Sequence, residues 1–132
     1  MLLVDADLYL YRCTTFTEQE ICWDADGACN IWSLDTDLKT AKEMFFDQLD
    51  TFKETLNDDR VILCLSSASN FRKDVMPTYK GGRKKIRKPL GYVAMLDWAK
   101  HTFSTVQISG LEADDVMGIL ATKPENIGKA VI

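Results

Sequence analysis

Short apolar runs alternate with helical patterns along this chain, and that alternation limits the folds that the chain can adopt. The clearest run is residues 60–65, Arg-Val-Ile-Leu-Cys-Leu, which is typical of a buried strand. Residues 2–4 and 105–108 predict two further strands. Helices are predicted at residues 38–57, 91–101 and 112–122. Because strands that alternate with helices usually pair in parallel, we expect an α/β fold with a mostly parallel sheet and helices on both faces.

The longest predicted helix carries a regular apolar stripe. Phe45, Leu49, Phe52 and Leu56 stand at i, i+4, i+7 and i+11, which places their side chains on one face of the helix. Core packing is the simplest interpretation of such a stripe.

Local signals predict two further strand regions. Residues 21–23 and 29–32 flank an Asp-Gly turn signal, which predicts a hairpin. Residues 130–132, Ala-Val-Ile, are typical of the start of another strand. We therefore expect the natural chain to continue, with these residues as the N-terminal portion of a longer domain.

Composition is that of one globular domain. The 132 residues are 46% hydrophobic, which is enough for a core, and no apolar run approaches the roughly 20 residues that span a membrane. Met1 is followed by neither a basic region nor a long apolar region, so a secretory signal is not expected. The four cysteines form no CxxC pair, which favours free thiols in a reducing compartment and a cytoplasmic protein.

Carboxylates cluster just after the last clear strand. Glu112, Asp114 and Asp115 lie within four residues at the start of a predicted helix. The helix dipole stabilises such residues by about 0.3–1 kcal/mol each, so capping alone could explain them. A hard divalent cation such as Mg²⁺ also binds such oxygen ligands. Asp5 and Asp7 follow the first strand, and parallel sheets bind ligands at the carboxyl ends of their strands. We therefore predict a metal site there, for Mg²⁺ or Mn²⁺.

A basic segment interrupts this otherwise acidic chain. Residues 72–88 hold eight basic residues and one acidic residue, a net charge of +7 in a chain whose total is −4. Basic side chains neutralise phosphates, and an aromatic ring such as that of Tyr79 can stack on an unpaired base. The segment predicts a local contact with nucleic acid, although a solvated loop with no partner would share its composition. Its basic residues are Arg72, Lys73, Lys80, Arg83, Lys84, Lys85, Arg87 and Lys88.

Together these motifs resemble the 5′–3′ exonuclease and flap endonuclease family, which has a PIN-like (resolvase-like) fold. Three separate motifs occur in the order that the family has. They are Leu-Val-Asp-Ala-Asp at residues 3–7, Phe71-Arg72 with Pro-Thr-Tyr-Lys-Gly-Gly-Arg at 77–83, and Gly-Leu-Glu-Ala-Asp-Asp-Val at 110–116. Residues 87–92 and 114–118 are similar to stretches in exonucleases of short-tailed phages. A phage protein of this kind would act in the host cytoplasm.

The resemblance implies a role for each matching residue. Residues 1–132 would be the N-terminal portion of a catalytic domain, with an arch-like basic segment at about 70–90. The domain would hydrolyse DNA phosphodiester bonds at free 5′ ends or 5′ flaps. The implied metal ligands are Asp5, Glu112, Asp114 and Asp115; the implied catalytic residues are Lys80, Arg83, Asp5 and Asp115; the implied nucleic-acid-binding residues are Arg72, Tyr79, Lys80, Arg83, Lys84 and Lys85.

Two features depart from the family pattern. Members usually carry an Asp in the loop after the central strand, whereas residues 66–69 are Ser-Ser-Ala-Ser. Either a ligand is missing, or Asp7 or water takes its place. The family's next acidic motif, Asp-x-Asp, would lie beyond Ile132, so whether these residues cut nucleic acid by themselves stays open.

Two other functions also stay open. One is a noncatalytic nucleic-acid-binding or interaction domain with a degenerate site, which the serine loop favours. The other is a PIN-like ribonuclease, which the long basic segment argues against.

Overall fold

The computed structural model describes residues 1–25, 27–28, 30–82 and 86–132. Its elements alternate largely as the sequence predicts. In chain order they are β1 (Leu2–Asp5), α1 (Ala6–Thr17), β2 (Glu18–Cys22), β3 (Trp32–Thr36), α2 (Leu38–Leu56), β4 (Val61–Leu65), α3 (Phe71–Val75), α4 (Tyr92–Thr102), β5 (Thr105–Gln107) and α5 (Ala113–Thr122).

The central sheet has the strand order β1-β4-β5, and both pairings are parallel. Asp5 lies opposite Cys64, and Leu65 lies opposite Gln107. On the other side of β1, Val131 forms a single parallel bridge with Leu2. All three strands therefore end at the same edge of the sheet, and the expected parallel α/β architecture is confirmed.

Helices cover both faces of this sheet. Successive strand residues point to opposite faces, so Leu2 and Val4 pack into one core while Leu3 packs into another. The first core contains residues of α1, α2 and α4, and the second contains residues of α5. Burial on both sides explains why β1 and β4 are continuous apolar runs rather than alternating ones.

Helix α2 begins and ends at residues that suit helix ends. The Asp37 carboxylate accepts hydrogen bonds from the backbone N–H groups of Lys39 and Thr40, both at 3.0 Å. Asn57 ends the helix in the left-handed conformation, with φ of 51°. The apolar stripe is buried at Phe45 and Leu49, whereas Leu56 at the last turn is 45% exposed. Phe52 is partly buried and packs against the same core, so the core prediction is confirmed for the stripe up to its last member, Leu56.

The predicted hairpin exists, but its strands were placed too close to the turn. β2 and β3 pair antiparallel from Glu18 opposite Thr36 to Cys22 opposite Trp32. Cys22 is disulfide-bonded, so the expectation of free thiols was wrong there. Cys13 and Cys64 are free and buried. Asp26 and Cys29 lie outside the described residues.

Within the described part of the chain, no helix combines the length and apolar character needed to cross a membrane.

Phe45→Ala should lower the free energy of unfolding by about 3–5 kcal/mol, because it removes a fully buried ring and leaves a cavity. The ring lies edge-on to Trp98 and Phe103, with centroid distances of 5.9 and 5.7 Å. Leu56→Ala, on the same helix, should cost less than about 1 kcal/mol because Leu56 is largely exposed. Urea titration of both variants checks this; equal losses would contradict the burial pattern.

Candidate functional site

The carboxyl edge of the sheet gathers the acidic residues that the sequence singled out. Asp5 is the last residue of β1, and its carboxylate accepts a hydrogen bond from the Leu8 N–H at 3.4 Å. Glu112 lies at the N-cap position of α5, and Asp114 and Asp115 lie in the first turn of that helix. A cavity of about 530 Å³ opens at this edge, and its polar lining includes Asp5, Asp7, Lys80, Lys88, Glu112 and Asp114.

Like charges crowd around Asp5. Burial raises the pKa of this carboxyl above its ordinary value, and the neighbouring carboxylates of Asp7 and Asp114 raise it further. The hydrogen bond from Leu8 lowers the same pKa but does not cancel the increase. A cation bound in this part of the cavity would reduce the repulsion between these carboxylates.

Glu112 is held by three donors that the sequence places far from it. Asn70 Nδ2 donates at 2.6 Å, Lys80 Nζ at 2.7 Å and the Tyr79 hydroxyl at 3.1 Å. Burial raises the pKa of Glu112, but the hydrogen bonds from Lys80 and Tyr79 outweigh it, so the pKa is lowered overall. The same contact with Glu112 raises the pKa of Lys80. Both groups are thus stabilised in their charged forms.

Lys80 adopts an uncommon backbone conformation for a lysine. Its φ of 52° lies in the left-handed region, which favours glycine over residues that carry a Cβ. Gly81 and Gly82 follow it directly. The turn at the end of residues 77–80 therefore aims Lys80 at the acidic cavity at some conformational cost.

Asp115 points to Arg72 rather than into the cavity. Arg72 donates from Nη1 and Nη2 to the two Asp115 oxygens, both at 2.6 Å. These hydrogen bonds lower the pKa of Asp115 to about 2. Asp115 Oδ2 also accepts from the Glu112 N–H at 3.0 Å, and Arg72 Nη1 lies 3.9 Å from Glu112 Oε2. Arg72 therefore pairs directly with Asp115 and lies near Glu112, whose closer cationic partner is Lys80.

The four carboxylates implied as metal ligands therefore divide into two groups. Asp5, Glu112 and Asp114 line the cavity, whereas Asp115 is paired with Arg72. Among the described residues, no three His, Cys, Asp or Glu side chains lie close enough together to hold a metal ion. Carboxylate oxygens of the kind that Mg²⁺ and Mn²⁺ prefer do line one cavity wall, and Asp5 is repelled by the carboxylates of Asp7 and Asp114.

The structure brings part of the basic segment onto the acidic cluster. Arg72, Tyr79 and Lys80 all contact Glu112 or Asp115. The predicted sites at Arg83, Lys84 and Lys85 lie outside the described residues.

The far end of the basic segment is anchored on the hairpin. Arg87 donates to the two Glu18 oxygens at 2.6 and 2.9 Å, and the Leu90 N–H donates to the same carboxylate at 2.6 Å. The hydrogen bond from Arg87 is the main reason why the pKa of Glu18 falls to about 2. The hairpin therefore fixes where the segment rejoins the fold at α4.

Sequence reasoning missed three polar residues of this edge, which are Asn70, Ser66 and Tyr92. Asn70 is 8% exposed, and its side chain caps α3 through Arg72 N–H while it donates to Glu112. An Asn just before a helical turn is a capping signal that could have marked it. Ser66 and Tyr92 both bind Asp7, through the Ser66 N–H at 2.7 Å and the Tyr92 hydroxyl at 3.0 Å. Nothing in the local sequence pattern signals those two contacts.

The whole chain matches one family model. That model, 5′–3′ exonuclease, N-terminal resolvase-like domain, covers residues 1–132. The chain belongs to this family. A resolvase-like domain agrees with the parallel sheet β1-β4-β5 and its flanking helices.

The matches to curated relatives cover the entire chain. It is 30% identical to an exonuclease of Escherichia phage T7 and 29% identical to an exodeoxyribonuclease of Enterobacteria phage T3, and each match covers 45% of the relative. A 5′–3′ exonuclease of Buchnera aphidicola is 30% identical, with 44% of that protein covered. The chain thus spans less than half the length of these relatives. No solved structure matches it significantly.

Arg87→Gln should raise the pKa of Glu18 from about 2 toward its ordinary value of 4.5, because the carboxylate loses its charged donor. Because the pKa of Glu18 is lower in the folded protein than in the unfolded chain, the ionised carboxylate stabilises the fold. This stabilisation is fully present above about pH 4.5 and is lost as the pH falls toward 2. Carbon-detected NMR titration of the Glu18 side chain measures the shift. Arg60→Gln, which removes one of the cationic partners of Asp58, is the matched control and should leave the pKa of Glu18 unchanged.

Proposed function

We propose that this chain is the N-terminal catalytic portion of a divalent-metal-dependent 5′ nuclease that hydrolyses DNA at free 5′ ends or 5′ flaps. The observation that carries the proposal is the meeting of opposite charges at one cavity. Lys80 and Arg72, from the basic segment, reach Glu112 and Asp115 at 2.6–2.7 Å, beside the crowded carboxylate of Asp5. A phosphate held by metal at the carboxylates would lie within reach of the same basic side chains. The T3 relative is described as an exodeoxyribonuclease, which supports DNA as the substrate.

Asp5, Glu112, Asp114 and Asp115 are proposed to hold the ion, Mg²⁺ or Mn²⁺. When bound, such an ion lowers the pKa of a water molecule so that hydroxide is available to attack phosphorus. Asp5 and Asp114 already face the cavity, and their mutual repulsion favours a cation there. Glu112 and Asp115 would exchange their present basic partners for the ion.

The basic side chains are proposed to act on the substrate once the carboxylates no longer occupy them. Lys80, together with Arg83, would stabilise charge that develops on the phosphate oxygens. Arg72, Lys84 and Lys85 would neutralise backbone phosphates, and the ring of Tyr79 would stack on an unpaired base near the cut. The contacts of Arg72 with the rings of Phe71 and Tyr79, at 4.8 and 6.0 Å, keep this cationic and aromatic group together.

A noncatalytic nucleic-acid-binding domain is the second candidate. It is favoured by the described residues themselves, which hold no group of three metal ligands, and by the serine loop at residues 66–69. The two candidates share DNA binding and differ in metal-dependent cleavage.

With Mg²⁺, the full-length gene product should cut 5′-flapped and recessed duplex DNA, and EDTA should stop it. Asp5→Asn and Asp114→Asn should each slow cleavage by about 10²-fold or more, since metal ligation supplies several kcal/mol of transition-state stabilisation. Asp35→Asn, at an exposed hairpin position, is the matched control and should cut normally. A parent protein that binds flapped DNA with metal present but never cuts it would support the noncatalytic alternative.

Lys80→Met should lower kcat by about 10²- to 10³-fold with little change in KM, because the lost charge is needed mainly when the phosphate is attacked. Lys73→Met removes the same charge from an exposed position of α3 and should retain kcat. Single-turnover cleavage of a labelled flap measures both variants. A rise in KM alone for Lys80→Met would assign Lys80 to binding rather than to catalysis.

A further inference from the structure

Asp7 lies on the wall of the acidic cavity, and each of its oxygens already accepts a hydrogen bond from the protein. Oδ2 accepts from the Ser66 N–H at 2.7 Å, and Oδ1 accepts from the Tyr92 hydroxyl at 3.0 Å. Tyr92 is 4% exposed as a residue, and its hydroxyl donates to Asp7 where the side chain lines the acidic cavity. A metal at Asp7 would have to use the remaining lone pair of an oxygen, in the orientation that Ser66 and Tyr92 impose on the carboxylate.

Ser66 connects Asp7 by hydrogen bonds to β5 and α5 at the same edge of the sheet. Its side-chain oxygen accepts from the N–H of Ala113, the first residue of α5, at 3.0 Å. Its backbone carbonyl accepts from Gln107 Nε2, at the end of β5, at 2.6 Å. Since Ser66 itself directly follows β4, one residue ties together the ends of all three parallel strands.

The same network reaches the basic segment through Tyr92. The Lys88 ammonium lies 4.2 Å from the centre of the Tyr92 ring, which is a cation–π distance. Asp7, Ser66, Lys88 and Tyr92 also line a second cavity of about 620 Å³, so they form the wall between that cavity and the acidic one.

We infer that Asp7 is a positioning residue and not the replacement for the carboxylate missing from the serine loop. Through Ser66 and Tyr92 it fixes the distance between Asp5 on β1 and the acidic turn, Glu112 to Asp115, on α5. This rests on the proposed function, because it assigns Asp7 a role in presenting the metal ligands.

Mn²⁺ binding to the full-length gene product, followed by electron paramagnetic resonance, tests the inference. Asp7→Ala and Tyr92→Phe should each weaken Mn²⁺ binding by about 10-fold, as loss of a partner that orients ligands commonly does. The double variant should be little weaker than either single one, because both changes break the same network. Asp7→Asn keeps an acceptor for Ser66 and should retain more affinity than Asp7→Ala. Asp5→Asn removes a proposed ligand, and its decrease in Mn²⁺ affinity is the reference value for loss of a ligand.

The control for Tyr92→Phe is Tyr9→Phe. Tyr9 packs edge-on against Phe52 at 5.3 Å, in the core rather than at the sheet edge, so loss of its hydroxyl should leave Mn²⁺ affinity unchanged. Amide hydrogen exchange without metal adds a second readout. The N–H groups of Ser66 and Ala113 should exchange faster in Asp7→Ala and in Tyr92→Phe than in the parent.

Three results would overturn the inference. Asp7→Asn could prove as damaging as Asp5→Asn while Tyr92→Phe binds normally, which would make Asp7 a ligand. Asp7→Ala could bind Mn²⁺ as the parent does, which would remove any positioning role. Finally, exchange at Ser66 and Ala113 could be unchanged in both variants. If the parent bound no Mn²⁺ at all, the proposed metal dependence would be wrong instead. The hydrogen-exchange measurement would still show whether Asp7 holds Ser66 and the start of α5 in place.

Discussion

Charge neutralisation at the start of α5 is the constraint on which the site depends. Glu112 and Asp115 are partly buried next to one another, and buried carboxylates are costly unless they are paired. Arg72 and Lys80 provide the pairing, while Asn70 and Tyr79 satisfy further oxygen lone pairs of Glu112. Since all four partners come from residues 70–80, this electrostatic requirement also determines where the first part of the basic segment lies against the fold, while Arg87 anchors its far end on Glu18.

The parallel sheet brings these opposite charges close together. Its order β1-β4-β5 brings three loops that are far apart in the chain to one edge. The loop after β4 has no carboxylate, and its contribution is structural: Ser66 accepts from α5 and β5 and donates to Asp7. Functional side chains commonly lie on loops that a rigid scaffold positions, and here the scaffold is a short parallel sheet with a packed core on each face.

Secondary structure followed closely from local signals in the sequence. Asp37 and Asn57 mark the ends of α2, because capping is a property of neighbouring residues and needs no tertiary context. The hairpin strands were misplaced, since β2 and β3 gain most of their pairing at the base, away from the Asp-Gly signal. The disulfide at Cys22 escaped prediction because spacing along the chain does not report which cysteines approach in space.

For the site, the sequence determined which chemistries are present and which strand ends carry them. It placed carboxylates after β1 and β5 and cations after β4, and the alternation of strands and helices predicted parallel pairing. The strand order β1-β4-β5 came only from the structure. Only the tertiary structure determined which carboxylate pairs with which basic side chain or hydrogen-bond donor. Asp115 takes Arg72, Glu112 takes Lys80, and Asp7 takes Ser66 and Tyr92. The partners are separated by 32 to 85 positions. Distances of hydrogen-bond length between such residues arise only when helix and sheet packing fixes the loops, and no local pattern encodes them.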